Sequence, residues 1–84
     1  MRMGIDNWST GRIADTTTNK VYEYHVKHYE EGSVYGIDEG RISKLEIREA
    51  GGDRRWLCNY DRGWDIEPAD EVKAVYEIIL RKYN

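Results

Sequence analysis

From Gly32 to Leu45 the chain reads Gly-Ser-Val-Tyr-Gly-Ile-Asp-Glu-Gly-Arg-Ile-Ser-Lys-Leu. Three glycines, two serines, a tyrosine and two cations fall within these fourteen residues. Glycine lets a backbone turn tightly or approach a ligand closely. Ser33, Ser43, Arg41 and Lys44 supply donors for an anion, and Tyr35 supplies a flat face. A phosphorylated aromatic ligand such as a nucleotide would use all of these. The simpler alternative is a Gly-rich connection between two strands. A second segment, Asn59-Tyr-Asp-Arg-Gly-Trp-Asp65, places Tyr60, Arg62 and Trp64 together. It could add a cation and stacking faces, or serve as a turn whose Trp64 plugs a helix–sheet junction. If the two segments converge, Arg41, Lys44 and Arg62 could neutralise phosphates while Tyr35 or Trp64 stacks a base.

Other chemistries fit less well. His25 and His28 stand three apart, so on a strand they face opposite ways and cannot chelate one metal as a pair. With a single cysteine, Cys58, zinc lacks a ligand set, and no disulfide can form within the chain. Cys58 reads as a small buried hydrophobe with no base marked out beside it. The Gly-rich stretch lacks the Gly-Lys-Ser/Thr ending of a Walker loop and the dinucleotide Gly fingerprint. A non-enzymatic protein with no metal and no cofactor is expected.

Eighty-four residues make one domain, with Met1 to Asn7 as an N-terminal tail. So short a chain buries a modest core, and oligomerisation is a common remedy. No apolar run reaches the roughly 18 residues of a membrane span, and no leader pattern opens the chain. A cytoplasmic protein is expected. The net charge of −3 argues against bulk nucleic-acid binding. The charge is unevenly spread: residues 1–40 hold four cations and seven anions, and residues 64–84 three and five. Residues 41–63 hold six cations, Arg54 and Arg55 among them, and four anions. A local cationic zone in an acidic chain suits a compact anion better than a long polyanion.

These residues must be positioned by a small set of elements. Trp8 to Ile13 reads as a strand, Asp15 to Asn19 as a turn, and Val21 to Tyr29 as a second strand. Alternation places Tyr22, Tyr24, Val26 and His28 on its core face. Arg41 to Glu49 is a third strand, with Ser43, Leu45 and Ile47 on one face and Ile42 on the other. Ala50 to Asp53 is a hairpin turn. Arg55 to Asp61 is a fourth strand, with Trp56, Cys58 and Tyr60 on one face. Arg62 to Glu67 is a loop. Pro68 then suits the first helical position, and Val72, Val75, Tyr76, Ile79 and Tyr83 form an apolar stripe at helical spacing. The expected fold is α+β: a four-stranded antiparallel sheet with one C-terminal helix on one face, ββββα. The seven Tyr and three Trp should leave aromatics on the uncovered face, to be buried in a dimer or tetramer.

Glu31-Gly-Ser-Val-Tyr-Gly-Ile, Gly40-Arg-Ile-Ser-Lys-Leu and Asn59-Tyr-Asp-Arg-Gly-Trp-Asp resemble a family of small uncharacterised proteins of Firmicutes and their phages. The resemblance runs from Trp8 to Tyr83. In size and polar-aromatic motifs the chain is also similar to phage sponge proteins of the anti-CBASS type, which sequester cyclic-nucleotide immune signals without cleaving them. That resemblance implies a counter-defence role in the host cytoplasm, with a small anionic ligand such as a cyclic nucleotide as partner. The ligand set expected from the residues is Ser33, Tyr35, Arg41, Ser43, Lys44, Tyr60, Arg62 and Trp64. The alternative is a protein inhibitor of a host defence nuclease, using Glu30, Glu31, Asp38 and Glu39 to mimic nucleic acid.

Overall fold

A computed structural model of the chain describes residues 7–52 and 55–84. The expected tail up to Asp6, Asp53 of the hairpin turn and Arg54 of the cationic zone lie outside the described residues. Among the described residues five strands form one antiparallel sheet in the order β1-β2-β3-β4-β5: Trp8–Asp15, Lys20–His28, Ile42–Glu49, Cys58–Asp61 and Trp64–Ile66. A 3-10 turn at Asp70–Val72 leads into the helix α1, Lys73–Tyr83.

The β1–β2 turn follows from its polar residues. The Thr17 amide donates to Asp15 Oδ1 at 2.8 Å, and Asn19 takes the left-handed conformation at φ 62°. β2 and β3 then alternate cleanly. Tyr22, Tyr24, Val26, Leu45 and Ile47 point one way and are buried against Val72, Val75 and Ile79 of the helical segment. Polar ties seal the same layer: the Tyr22 hydroxyl donates to Glu71 at 3.0 Å, and the Tyr24 and Tyr83 hydroxyls meet at 2.9 Å.

The sheet has five strands where the sequence reading expects four. Arg62 adopts φ 56° and the Asp61 amide donates to the Gly63 carbonyl at 2.8 Å. This closes a tight turn and lets Trp64 pair with Tyr60. A residue at positive φ is what a tight hairpin turn requires. In the β2–β3 pairing the register slips between Lys27 and His28, skipping Ser43 of β3, so Ile42 turns inward and is fully buried. The expectation that Ile42 faces away from the core is thereby corrected: a bulge resets the alternation. Trp56 also departs from the expected face. The chain becomes regular only at Cys58, and Trp56 lies under the Arg48 guanidinium at 5.2 Å, opposite to Cys58 and Tyr60. Pro68 does not open the helix. The Ala69 amide donates to the Leu57 carbonyl at 2.9 Å, which holds Ala69 extended at ψ 154°.

The uncovered face carries charge together with aromatics, Trp8 opposite Lys27 and Trp56 beneath Arg48. Register places Arg12, Glu23 and Arg48 in one row, and His25 beside Glu46 in the next. Arg48 Nε donates to Glu23 at 2.9 Å. Most of the tyrosines fall on the helix side because β2 and β4 carry them at alternate positions. Among the described residues, no helix is long and apolar enough to cross a membrane.

Candidate functional site

The segment 30–40 is a looped connection tied at both ends. The Ser33 amide donates to the Gly40 carbonyl at 3.1 Å, and the Gly40 amide to the Ile37 carbonyl at 2.8 Å. A side chain at Gly36 would run into the Gly40 carbonyl, and one at Gly40 into the Asn84 side chain. These two glycines therefore serve backbone packing within the loop. Asn84 completes the tie: Nδ2 donates to the Ile37 carbonyl at 3.1 Å, and Oδ1 accepts from the Ile42 amide at 2.9 Å. The loop thus stands on α1 and the start of β3, and Ile37 is buried beneath it.

This tied loop forms one wall of a cleft of about 280 Å³ at the end of the sheet. Lys27 and Tyr29 of the β2 end, Ser43 and Lys44 of β3, Ser33 and Tyr35 of the loop, and Arg62 of the β4–β5 turn line it. Five of the eight residues expected from sequence, Ser33, Tyr35, Ser43, Lys44 and Arg62, converge here from segments far apart in the chain. Ser43 reaches the cleft through the same bulge that buries Ile42, and its carbonyl accepts from the Arg62 amide at 2.9 Å. That bond fixes the β4–β5 turn against the cleft wall.

The charges are unbalanced. Lys27 and Lys44 are direct cross-strand partners. Like charges so placed are destabilising, with Cβ atoms only about 4.5–5.5 Å apart. The two ammonium groups are compensated separately. Lys27 Nζ sits 5.8 Å from the Tyr29 ring centre, while Lys44 Nζ lies 3.9 Å from Asp61. The same Asp61 carboxylate lies 3.5 Å from Arg62 Nε. One carboxylate therefore serves two cations, and a third cation stands opposite.

Three expected residues lie outside the lining. Tyr60 is buried on the helix side, but its hydroxyl donates to the Tyr35 carbonyl at 2.8 Å, so it positions a cleft residue. Trp64 sets its ring edge-on to Tyr60 at 4.8 Å and to Tyr76 at 5.8 Å. Arg41 Nε donates to the Asn84 carbonyl at 3.4 Å. Tyr35 is 60% exposed and Tyr60 only 6%, so Tyr35 has the ring face open to a ligand. Lys27 and Tyr29 are the additions. Their signal in the sequence was the β2–β3 register, which sets Lys27 opposite Lys44 once the hairpin is aligned.

Elsewhere, the Ser9 hydroxyl meets His28 Nε2 at 3.0 Å, with the His28 ring 4.8 Å from that of Tyr83. Burial, and then the Arg41 charge, push the His28 pKa down. His25 lies on the opposite face of β2. Cys58 is fully buried, and burial pushes its thiol up to about 12, which leaves it protonated at neutral pH. Among the described residues no three His, Cys, Asp or Glu side chains cluster as a metal site.

A family model described as a domain of unknown function, DUF7678, matches residues 7–84. Comparison with curated proteins and with solved structures returns no match.

Proposed function

We propose that this chain, which belongs to the DUF7678 family, is a non-enzymatic binding protein whose cleft captures a small anionic ligand of the nucleotide type. One observation carries the reading: two lysines face each other across β2 and β3 at the wall of a cleft that Arg62 also lines. An anion between them turns mutual repulsion into shared attraction. Its phosphate oxygens would accept short, charge-assisted bonds from Lys27, Lys44 and Arg62. The Ser33 hydroxyl adds a neutral donor, while that of Ser43 donates to the Lys27 carbonyl at 3.5 Å, and the exposed rings of Tyr29 and Tyr35 offer stacking surfaces. At about 280 Å³ the cleft is close to the lower end of small-molecule pockets, about 300 Å³. It suits one nucleotide unit, with the rest of a larger ligand outside. Holding such a ligand intact is what a counter-defence sponge for cyclic-nucleotide signals requires.

Calorimetric titration with inorganic phosphate, mononucleotides, cyclic di- and trinucleotides and cyclic ADP-ribose isomers tests the proposal. Saturable binding of at least one phosphorylated compound, recovered unchanged, is the expected result. No heat and no thermal shift across the panel would overturn it. A second reading rests on Glu30, Glu31, Asp38 and Glu39, all exposed on the 30–40 loop. They could face a basic protein, and a stoichiometric protein partner with no ligand response would favour that reading.

A further inference from the structure

We infer that β1 is a dimerisation strand, pairing antiparallel with β1 of a second copy of this chain about a two-fold axis at Gly11. Among the described residues β1 ends the sheet, with no strand on its outer edge. The two edges are treated very differently. β5 is three residues long and joins the sheet through a register shift, two devices that blunt an edge. β1 is eight residues long and pairs with β2 without a shift. Its sequence, Trp-Ser-Thr-Gly-Arg-Ile-Ala-Asp, holds no proline and no lysine. A long, regular edge of this kind is a template for another strand.

The strand's own sequence favours a second copy as the occupant. With Gly11 on the axis, every residue from Asn7 to Asp15 finds an opposite: Thr10 faces Arg12 of the second copy, Ser9 faces Ile13, and Trp8 faces Ala14. No two like charges meet. Shifting the axis to Arg12 sets that cation against its own copy and shortens the paired length. Arg12 is 69% exposed, and its own Glu23 lies 4.0 Å away, so the cation is partly met before pairing. A shallow cavity of about 260 Å³ over Gly11, lined by Thr10, Arg12, Glu23 and His25, borders the axis. In the dimer its two copies would lie side by side across the joined sheet.

Sedimentation equilibrium on the full chain over a concentration series, with three variants, tests this. The wild type should dimerise. Thr10→Arg should weaken the dimer by roughly two- to thirtyfold, from two symmetric like-charge pairs. Combining it with Arg12→Glu should restore association, and Thr10→Glu alone should tighten it. Thr10 is exposed, so circular dichroism should show each variant folded. A monomer at roughly 100 μM, or a dimer indifferent to Thr10→Arg and to its rescue, would overturn the inference.

Discussion

Lys44, Arg62 and Arg41 separate gripping an anion from bracing the fold. Lys44→Ala removes charge-assisted bonds and should weaken nucleotide binding by about 1.5–3 kcal/mol, roughly ten- to a hundredfold. Its pair with Asp61 is half-exposed and contributes at most about 1 kcal/mol, so the melting temperature should hold. Arg62→Gly should weaken binding similarly and leave the melting temperature unchanged or raised, because glycine accepts φ 56° without a Cβ clash. Arg41→Ala should do the reverse, lowering the melting temperature through the lost Asn84 tie and sparing affinity. Parallel calorimetry and thermal melts on the three variants check this pattern. His28 gives the fold a pH dependence of its own. Its pKa is pushed below the ordinary value of about 6.5 by burial and by Arg41. The unfolded chain therefore binds the proton more readily than the folded one. The stability from neutral His28 is complete above the unfolded pKa and is lost as pH falls from there toward the lowered folded value. His28→Gln should flatten the melting temperature between about pH 7 and pH 5.5 relative to wild type, and equal slopes would contradict the assignment.

At the scale of elements, the tied loop decides whether the cleft exists. Gly36→Ala would press a methyl group into the Gly40 carbonyl, a backbone atom that cannot step aside. It should cost about 1–3 kcal/mol in a denaturant titration and reduce ligand affinity too, since Tyr35 is carried by the same loop. The sequence is legible where one force dominates. Alternation in β2 places Tyr22, Tyr24 and Val26 under the helix, and the stripe of Val75 and Ile79 identifies the helix face. It is misleading where a local device resets the pattern. The bulge at Ile42 and the backbone bond from Ala69 to Leu57 depend on distant partners and leave no mark in composition. β5 was hidden because a left-handed arginine does the work that glycine or asparagine usually announces. The cleft was half legible. Residue type singled out Ser33, Tyr35, Ser43, Lys44 and Arg62, but only register reveals that Lys27 stands across from Lys44.

For the whole molecule, a small acidic protein concentrates three cations at one end of its sheet while its net charge is −3. The helix side supplies the stability, through a core of tyrosines and aliphatic side chains sealed by hydroxyl contacts. The opposite face carries charge beside Trp8 and Trp56, and among the described residues the long strand β1 ends the sheet. Such a division fits a scaffold that holds a compact anion at a fixed place. In the proposed site, segments far apart in sequence grip one anion together. Amide chemical-shift mapping of the isotope-labelled chain, titrated with the tightest nucleotide of the panel, tests it most directly. Shifts should concentrate at Lys27, Tyr29, Ser33, Tyr35, Ser43, Lys44 and Arg62 and saturate together. Saturable shifts centred elsewhere, or on only one of the two segments, would contradict the claim.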